Sequence, residues 1–387
     1  MKKLLSIALV LVMLVSLCAC NKTNDSEILI GSYLPLTGPS AAGGTAELHG
    51  LEMAIEEANA AGGINGRMLK LISYDSAGTS EGATKAATRL IEQDGVKVIA
   101  GSHLSSSVLA VSSLTERAQV LHVGTGTSAS WTNIGLEYTY RATANADLPI
   151  ATMMGQLKDC EMDSVVLISV ASEYGQSGHD SIVTACAENA IEIVADVIYQ
   201  SAETDFTGTI SQAMAAEADT LVLYGLGNEL ALLTKQLRQN GYEGLIFTTE
   251  GGANTEMFTV AGDASNGMIF SATYVIPAVV EDGATELIKT VLQKYQDKYD
   301  MMPQSDVFYR GYDKGMLIVE ALKNCENPDD GESIMKAFKT LSGIELLGGS
   351  FDFTDGSGDG LKVTNTWMIM DGKIQVFDKD VALNFDK

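Results

Sequence analysis

Short apolar runs and amphipathic stripes alternate along most of the chain, and the stretch from 96 to 127 shows the pattern well. Val96–Ala100 is an apolar run of the length of a strand, and Val120–Val123 is a second one. Between them, apolar residues recur at spacings of three and four, as on one face of a helix. These residues are Val108, Val111, Leu114 and Ala118. The stretch therefore predicts a strand, a helix and a strand, each followed by a polar turn.

The residues before this stretch predict the same alternation. Strands are predicted at Glu27–Leu34 and Met68–Tyr74, and helices at Leu48–Ala58 and Gly82–Gln93. Glycine and proline residues punctuate the segments between them. Strands that alternate with helices are typical of a parallel sheet covered by helices on both faces.

The alternation restarts after Arg141 and continues to the end of a second half. The predicted strands are Ser164–Val170, Ile191–Tyr199, Thr220–Tyr224, Leu245–Thr248 and Met268–Tyr274. The predicted helices are Leu148–Lys158, Ser177–Asn189, Phe206–Ala216, Glu229–Gln239, Ala284–Tyr299 and Asp306–Lys323. Short strands joined by Asp/Gly turns follow, at Ser350–Phe353, Asn365–Met370 and Ile374–Phe377. We predict an α/β protein with two Rossmann-like lobes, each with a parallel central sheet, around a cleft at the carboxyl ends of the strands.

Three serines, Ser105, Ser106 and Ser107, lie where the helix of the first stretch is predicted to begin. Unpaired backbone N–H groups and the positive end of the helix dipole favour an anion at such a position. A carboxylate-binding turn is one interpretation. The alternative is that one serine is an N-cap and the other two fill a turn.

The N-terminus has the plan of a secretory signal, with Lys2 and Lys3 before the apolar run Leu4–Leu17. Leu17-Cys18-Ala19-Cys20 resembles the bacterial lipobox, in which the last cysteine carries the lipid. We predict a lipoprotein signal peptide at 1–19, a lipidated Cys20 and a polar tether at 20–26. The protein is then exported and anchored at the outer face of the bacterial cytoplasmic membrane. An ordinary signal peptide cut at another position is the alternative.

Composition excludes several classes of partner. The formal net charge is -25, which argues against binding to nucleic acid or to anionic lipid. Cys160, Cys186 and Cys325 have an odd number and a wide spacing, which suit neither a disulfide framework nor a zinc site. Buried free thiols are the favoured interpretation, with a Cys160–Cys186 bridge as the alternative. We expect no metal and no cofactor.

One catalytic motif is present but lacks its context. The residues from Gly78 to Gly82 match the G-x-S-x-G of hydrolases and follow a predicted strand. A hydrolase also needs an acid and a histidine in a triad, and the chain has only 4 histidines. An exported hydrolase is therefore the least favoured function, and no residue is predicted to be catalytic.

Several blocks of sequence resemble the leucine/isoleucine/valine-binding proteins, the extracellular solute-binding components of ABC transporters with the type I periplasmic-binding fold. The blocks are ILIGSYLPLTGPSAAGG at 28–44, GLEMAIEEANAAGGINGRMLKLISYDSAG at 50–78, SSS at 105–107, GTGTS at 124–128, EYGQSG at 173–178 and TEGGAN at 249–254. The resemblance implies a monomeric binding protein that is not an enzyme and that docks on a membrane permease and its ATPase.

The resemblance also implies a division into lobes and a ligand site. A three-crossover hinge would place 27–145 and 276–347 in lobe 1, and 146–275 and 348–387 in lobe 2. Lobe 1 would hold the carboxylate of an amino acid with its serine and threonine turns, and lobe 2 would hold the ammonium with an acid beside an aromatic ring. The implied residues are Ser105, Ser106, Thr125, Gly126 and Thr127 in lobe 1, and Tyr174 and Glu250 in lobe 2.

Departures from the family pattern leave the ligand's side chain open. Ala42–Gly44 and Leu226-Gly227 stand where the family has aromatic residues, which would enlarge or reshape the pocket. His103 precedes the serines. It either recognises a polar side chain of the ligand or is a structural histidine whose hydrogen bonds are made within the protein. Trp131 is either a lid over the pocket or a core residue.

These observations together predict the substrate-binding protein of an ABC importer for an amino acid, of branched-chain type or another small apolar or polar kind. Binding of another small carboxylate or amide is one alternative. A ligand sensor that signals to a receptor is a second.

Overall fold

A computed structural model describes residues 27–132, 134–225, 227–274, 285–303, 305–362 and 364–385. The predicted signal peptide at 1–19, the tether at 20–26 and the lipidated Cys20 lie outside the described residues. So do Leu226 and the predicted lobe crossing at 275–276.

Most of the strands follow the predicted alternation. In chain order they are β1 Ile28–Leu34, β2 Leu69–Asp75, β3 Val98–Ala100, β4 Leu121–Gly124, β5 Thr139–Ala144, β6 Ser164–Ala171, β7 Glu192–Gln200, β8 Thr220–Tyr224, β9 Ile246–Thr248, β10 Met268–Ala272, β11 Ser342–Leu346, β12 Gly349–Asp352, β13 Asp359–Leu361, β14 Asn365–Met370 and β15 Lys373–Val376.

The helices lie between these strands. They are α1 Ala41–Ala60, α2 Ser80–Glu92, α3 Ser105–Ala118, α4 Asp147–Asp159, α5 Glu173–Glu188, α6 Thr207–Ala215, α7 Gly227–Gln239, α8 Glu286–Tyr299, α9 Val307–Asn324, α10 Gly331–Phe338 and α11 Lys379–Ala382. Within the described residues, no helix is both long enough and apolar enough to span a membrane.

Two separate sheets form the centres of two α/β lobes. The first has the order β11-β12-β13-β5-β4-β3-β1-β2, and the second has the order β15-β14-β10-β9-β8-β6-β7. The strands β1 to β5 pair in parallel, as do β6 to β10. Antiparallel strands from the C-terminal part of the chain are added at one edge of each sheet. The predicted fold class is confirmed.

The C-terminal boundary between the lobes differs from the expected one. The resemblance placed 348–387 in lobe 2, but β12 and β13 lie in the first sheet. β13 pairs in parallel with β5 at Asp359 and Arg141. The Asp359 Oδ1 atom also lies 2.7 Å from Nε of the buried Arg141. This pairing keeps the chain in the first lobe as far as Leu361, and the second sheet takes it up at β14.

Alternation along the short strands gives the first sheet two packed faces. Val98 and Ala100 belong to the core formed with α1 and α9, whereas Ile99 belongs to a separate core formed with α2 and α3. Successive side chains of a strand point to opposite faces, so β3 is buried on both. Its apolar sequence follows from this position.

Helices α1 and α9 pack backbone to backbone. A Cβ atom on Gly50 would lie 2.2 Å from the Phe308 carbonyl oxygen, and one on Gly311 would lie 2.1 Å from the Glu47 carbonyl oxygen. Only glycine permits so close an approach. The contact brings the polar residues of both helices toward the carboxyl edge of the sheet, where the candidate site lies.

The described cysteines are free, as expected. Cys160 and Cys186 are buried, and Cys325 is partly buried. Burial raises the pKa of the Cys160 and Cys186 thiols to about 11, which keeps them protonated and inert.

Candidate ligand-binding cleft

The serine turn opens helix α3 but does not cap it. The N-cap is Leu104, and Ser105 is the first helical residue. The prediction that one serine is an N-cap is therefore wrong. The Ser105 hydroxyl instead accepts a hydrogen bond from the backbone N–H of Ser128 at 3.2 Å. Ser106, which is only partly buried, accepts a bond at its carbonyl from Ser80 Oγ at 3.3 Å.

The threonine turn lies directly against this helix start. A Cβ atom on Gly126 would lie 2.8 Å from Ser105 Oγ, so the glycine is what permits the contact. Arg141, which is fully buried, donates to the carbonyl oxygens of Gly126 and Ser128 from below. Its guanidinium stacks 4.1 Å over the ring of Trp131. Trp131 is therefore a core residue under the turn and not a lid.

A buried acid joins the two turns to helix α9. Glu47 Oε1 accepts hydrogen bonds from Thr125 Oγ1 at 2.5 Å and from Lys314 Nζ at 2.6 Å. Glu47 Oε2 accepts from the backbone N–H of His103 at 3.0 Å and lies 2.9 Å from its Nδ1. Lys314 also donates to the Gly101 carbonyl oxygen. One carboxylate thus fixes four groups around the carboxyl ends of β3 and β4.

Burial opposes the charge on Glu47, but Lys314 and the hydrogen bond from His103 outweigh it and lower the pKa of Glu47 to about 2. The Thr125 hydroxyl and the His103 ring are engaged within the protein by this acid. This contact holds the His103 ring at its Nδ1 atom, and a role of the ring in ligand recognition stays a prediction. Sequence reasoning missed Glu47 and Lys314. A charged residue inside each of two otherwise buried helical stripes was the available signal.

Glu250 lies at the corresponding edge of the second sheet. It follows β9 and begins a short 3₁₀ turn that ends at Ala253. The residue is only 5% exposed, and neither carboxylate oxygen has a hydrogen-bond partner among the described residues. A buried carboxylate without donors is costly. This one is therefore suited to a cationic group of a ligand.

Two tyrosines lie beside this acid. Tyr174 stands in the first turn of α5, whose N-cap Ser172 accepts from the Gly175 N–H at 3.0 Å. Its ring stacks on that of Tyr224 with centroids 4.5 Å apart. Burial and the Glu250 carboxylate raise the pKa of Tyr174 well above its ordinary value, so its hydroxyl is a neutral donor. Sequence reasoning missed Tyr224, although it ends a strand that was predicted correctly.

A small cleft lies between the two lobes at this level. Its lining residues come from both lobes: Thr127, Thr143, Ala144, Pro149, Glu250, Ala272, Thr273, Tyr274 and Arg310. Of the predicted site residues, Thr127 and Glu250 line the cleft directly. Ser105, Ser106, Thr125, Gly126 and Tyr174 are not among its described lining residues, although Tyr174 is near enough to Glu250 for that carboxylate to raise its pKa.

Arg310 also lines the cleft, and sequence reasoning did not single it out. Its Nε and Nη2 atoms donate to Asp306 Oδ2 at 2.8 and 2.5 Å, and its Nη1 atom lies 3.4 Å from the Thr125 carbonyl oxygen. Burial opposes its charge, but Asp306 and Glu250 outweigh burial and raise the pKa of Arg310. The i, i+4 spacing of Asp306 and Arg310 in a predicted helix was the available signal.

Polar contacts also link the lobes near the cleft. Asn254 and Ser305 form an isolated antiparallel bridge, with Ser305 Oγ 3.4 Å from Asn254 Oδ1. Within the first lobe, Asp313 accepts hydrogen bonds from Tyr274 Oη at 2.9 Å and from the N–H of Gly348 at 2.8 Å. Burial raises the pKa of Asp313 to about 7, against the effect of these bonds.

Across the described part of the chain, no group of three or more His, Cys, Asp or Glu residues has the arrangement of a metal site. Two α/β lobes with acceptors and donors facing across one cleft define the class: a protein that holds a small ligand between its lobes. The family model for periplasmic binding proteins matches residues 27–373. The chain therefore belongs to the periplasmic binding protein family, whose members bind substrates and are not enzymes.

Two relatives cover nearly the whole chain. One is Leu/Ile/Val-binding protein homolog 3 of Brucella melitensis, 28% identical over 333 residues that make up 85% of this chain and 88% of that one. The other is Leu/Ile/Val-binding protein homolog 8 of Brucella abortus, 28% identical over 376 residues and 92% of each chain.

Two solved structures share the fold. They are a leucine binding protein, LivK, from Thermotoga maritima, and LivJ from Streptococcus pneumoniae in complex with isoleucine. Each has a TM-score of 0.81 and 24% identity, and covers 91% of this chain and 98% of its own. At this identity the likeness establishes the type I periplasmic-binding fold.

Proposed function

We propose that this protein is the exported substrate-binding component of an ABC importer and that it captures an amino acid between its two lobes. The observation that carries the proposal is the Glu250 carboxylate, which is buried at the edge of the cleft and has no described partner at either oxygen. An α-ammonium group would satisfy it through charge-assisted hydrogen bonds. The names of the relatives support an amino acid as the ligand class.

The opposite lobe suits the ligand's carboxylate. Helix α3 is 14 residues long and presents its first turn beside Thr127. Its unpaired N–H groups and its dipole favour a negative group. A zwitterion would therefore be held at its two charges by two different lobes, and its binding would favour the closed arrangement.

The closed protein would then dock on a membrane permease driven by an ATPase. The lipid on Cys20 would keep it close to that permease at the outer face of the cytoplasmic membrane, and the tether at 20–26 would give it reach. The family resemblance supports the permease, and the lipobox-like LCAC sequence supports the anchor.

A thermal unfolding panel tests the proposed ligand class. Refolded, ligand-free protein is melted with each of the twenty amino acids and with small carboxylates that lack an amine. Ligand at a hundred times its dissociation constant adds about 2.7 kcal/mol of stability, which raises Tm by a few degrees in a protein of this size. We expect a rise with one or a few amino acids. A rise only with carboxylates that lack an amine contradicts the role of Glu250, and no rise with any amino acid contradicts the proposed function.

A further inference from the structure

Arg310 lines the same cleft as Glu250 and reaches it from the other lobe. We propose that Arg310 binds a carboxylate of the ligand, so that the cleft recognises its substrate through one acid and one guanidinium on opposite lobes. The inference rests on the proposed function and deepens it, because it assigns the principal anion-binding group to helix α9 and not to the threonine side chains.

The guanidinium is held in place before any ligand binds. Asp306 Oδ2 takes both Nε and Nη2, and the pair is buried, with side chains 8% and 3% exposed. A guanidinium has five N–H groups. Three of them are used by Asp306 and by the Thr125 carbonyl, and no described residue accepts from the other two. A rigid fork with free donors is the geometry that suits a carboxylate.

The Arg310 guanidinium lies beside the turn at 125–127, which is proposed to face the carboxylate of the ligand. Arg310 Nη1 lies 3.4 Å from the carbonyl oxygen of Thr125, two residues before Thr127. The Thr125 hydroxyl is itself occupied by Glu47 at 2.5 Å. The guanidinium is thus the charged donor at the place where the threonine hydroxyl is already in use.

The charges of the cleft also fit a zwitterion. Arg310 and Asp306 pair with each other, whereas the Glu250 carboxylate has no described partner and would be matched by an ammonium group. An ammonium at Glu250 leaves the Arg310–Asp306 pair with spare donors for the carboxylate. A merely structural role for the pair is the competing explanation. Burial makes that explanation weaker, because a buried ion pair contributes little to stability compared with apolar packing of similar volume.

The wall around these charges is polar and small. The described lining includes three threonines, Thr127, Thr143 and Thr273, and two alanines, Ala144 and Ala272. The carboxylate that meets Arg310 is either the α-carboxylate of any amino acid or the side-chain carboxylate of an acidic one. The two sources share one chemistry and are separated by the choice of probes.

Titration calorimetry on purified full chain lacking only its signal peptide tests the inference. The probes are the amino acid that gives the largest thermal shift, its carboxamide derivative, and the pairs glutamate with glutamine and aspartate with asparagine. The variants are Arg310→Gln, Arg310→Lys and the charge-neutral double variant Asp306→Asn/Arg310→Gln. Lys323→Met, on the exposed end of the same helix, is the control for loss of a distant positive charge.

We expect Arg310→Gln to weaken binding of the amino acid by about 10- to 100-fold, with Arg310→Lys between it and the wild type. If the α-carboxylate binds Arg310, the carboxamide should bind the wild type weakly. Its affinity for Arg310→Gln should then be no lower than for the wild type. If the side chain is the partner, glutamate or aspartate alone should lose affinity, and the amides should not. Either pattern supports the inference, and Lys323→Met should bind like the wild type.

The inference is overturned if Arg310→Gln binds every probe as tightly as the wild type while melting as a folded protein. Should that variant not fold, the double variant replaces it, because it leaves no unpaired buried charge. An equal loss in Lys323→Met also overturns the inference. A wild type that binds no amino acid contradicts the proposed function instead, so the two failures are distinguishable.

Discussion

At the scale of single residues, the cleft contains two buried acids that differ in how many hydrogen-bond donors they contact. Glu47 has four donors and no exposure, whereas Glu250 is nearly as buried and has no described donor. The first acid fixes the turns that form the site, and the second is suited to a ligand. Sequence reasoning identified Glu250 and missed Glu47, because the partners of Glu47 lie 56 to 267 residues away along the chain.

Glu47 should govern part of the acid stability of the protein. Its folded pKa of about 2 lies below the ordinary value of 4.5. It therefore contributes stability that is fully present above pH 4.5 and is lost as the pH falls from 4.5 toward 2. We expect Glu47→Gln to lower the free energy of unfolding at pH 7 by about 3–5 kcal/mol. In this variant the free energy of unfolding should also fall less steeply between pH 4.5 and pH 2 than in the wild type.

Urea unfolding at a series of pH values measures this effect. The double variant Glu47→Gln/Lys314→Met is the control, since it removes both charges and leaves neither buried alone. The free energy of unfolding of this double variant should vary little over the same pH range, and its loss at pH 7 should be smaller than that of Glu47→Gln. If the free energy of unfolding of Glu47→Gln fell with decreasing pH as steeply as that of the wild type, Glu47 would not be the group responsible for the acid dependence.

At the scale of elements, helix α9 connects the fold to the site. One helix carries Arg310 at the cleft, Asp313 beside Tyr274 and Lys314 against Glu47. Its close contact with α1 through Gly50 and Gly311 sets how far these groups reach. The register of this contact therefore matters for binding as well as for stability.

A methyl group at Gly311 should separate the two helices. Its Cβ would lie 2.1 Å from the Glu47 carbonyl oxygen, which belongs to helix backbone and has little freedom to move. We expect Gly311→Ala to lower the free energy of unfolding by about 1–3 kcal/mol and to weaken ligand binding, because overpacking shifts backbone.

Gly155→Ala is the matched control for this change. Gly155 lies in helix α4, and a Cβ atom added there would have no described atom within 4 Å, so alanine should leave stability unchanged or raise it by up to about 1 kcal/mol. Thermal unfolding and calorimetry of both variants provide the measurement. Equal stability in Gly311→Ala and the wild type would show that the helices have room to adjust.

The sequence predicted most elements but not the partners of the last ones. Apolar periodicity is a local signal, so β1 to β4 and β6 to β10 were found from it, whereas β5 at Thr139–Ala144 was not predicted. The strand β12 was also predicted from the local pattern, but β11 and β13 were not. The lobe boundary at 348 came from the resemblance and differs from the structure because β13 pairs with the distant β5. The N-cap at Leu104 was also not predicted. Capping preferences favour a serine at that position, but Ser105 is already part of the helix.

At the scale of the whole molecule, the proposed site has complementary halves on the two lobes. The second lobe supplies an acid beside two stacked tyrosines, and the first supplies a helix start, a threonine turn and a guanidinium. Neither half holds a zwitterion at both ends. Closure around a ligand would therefore be favoured by contacts that exist only when the lobes meet, which is the physical basis of a binding protein of this class.

The central claim is that Glu250 receives the ammonium group of an amino acid. Calorimetric titration of wild type and Glu250→Gln, each with the best amino acid and with its deamino analogue, tests it most directly. We predict that the wild type binds the amino acid and not the analogue, and that Glu250→Gln loses at least about 10-fold in affinity for the amino acid. A Glu250→Gln variant that binds the amino acid as tightly as the wild type would contradict the account.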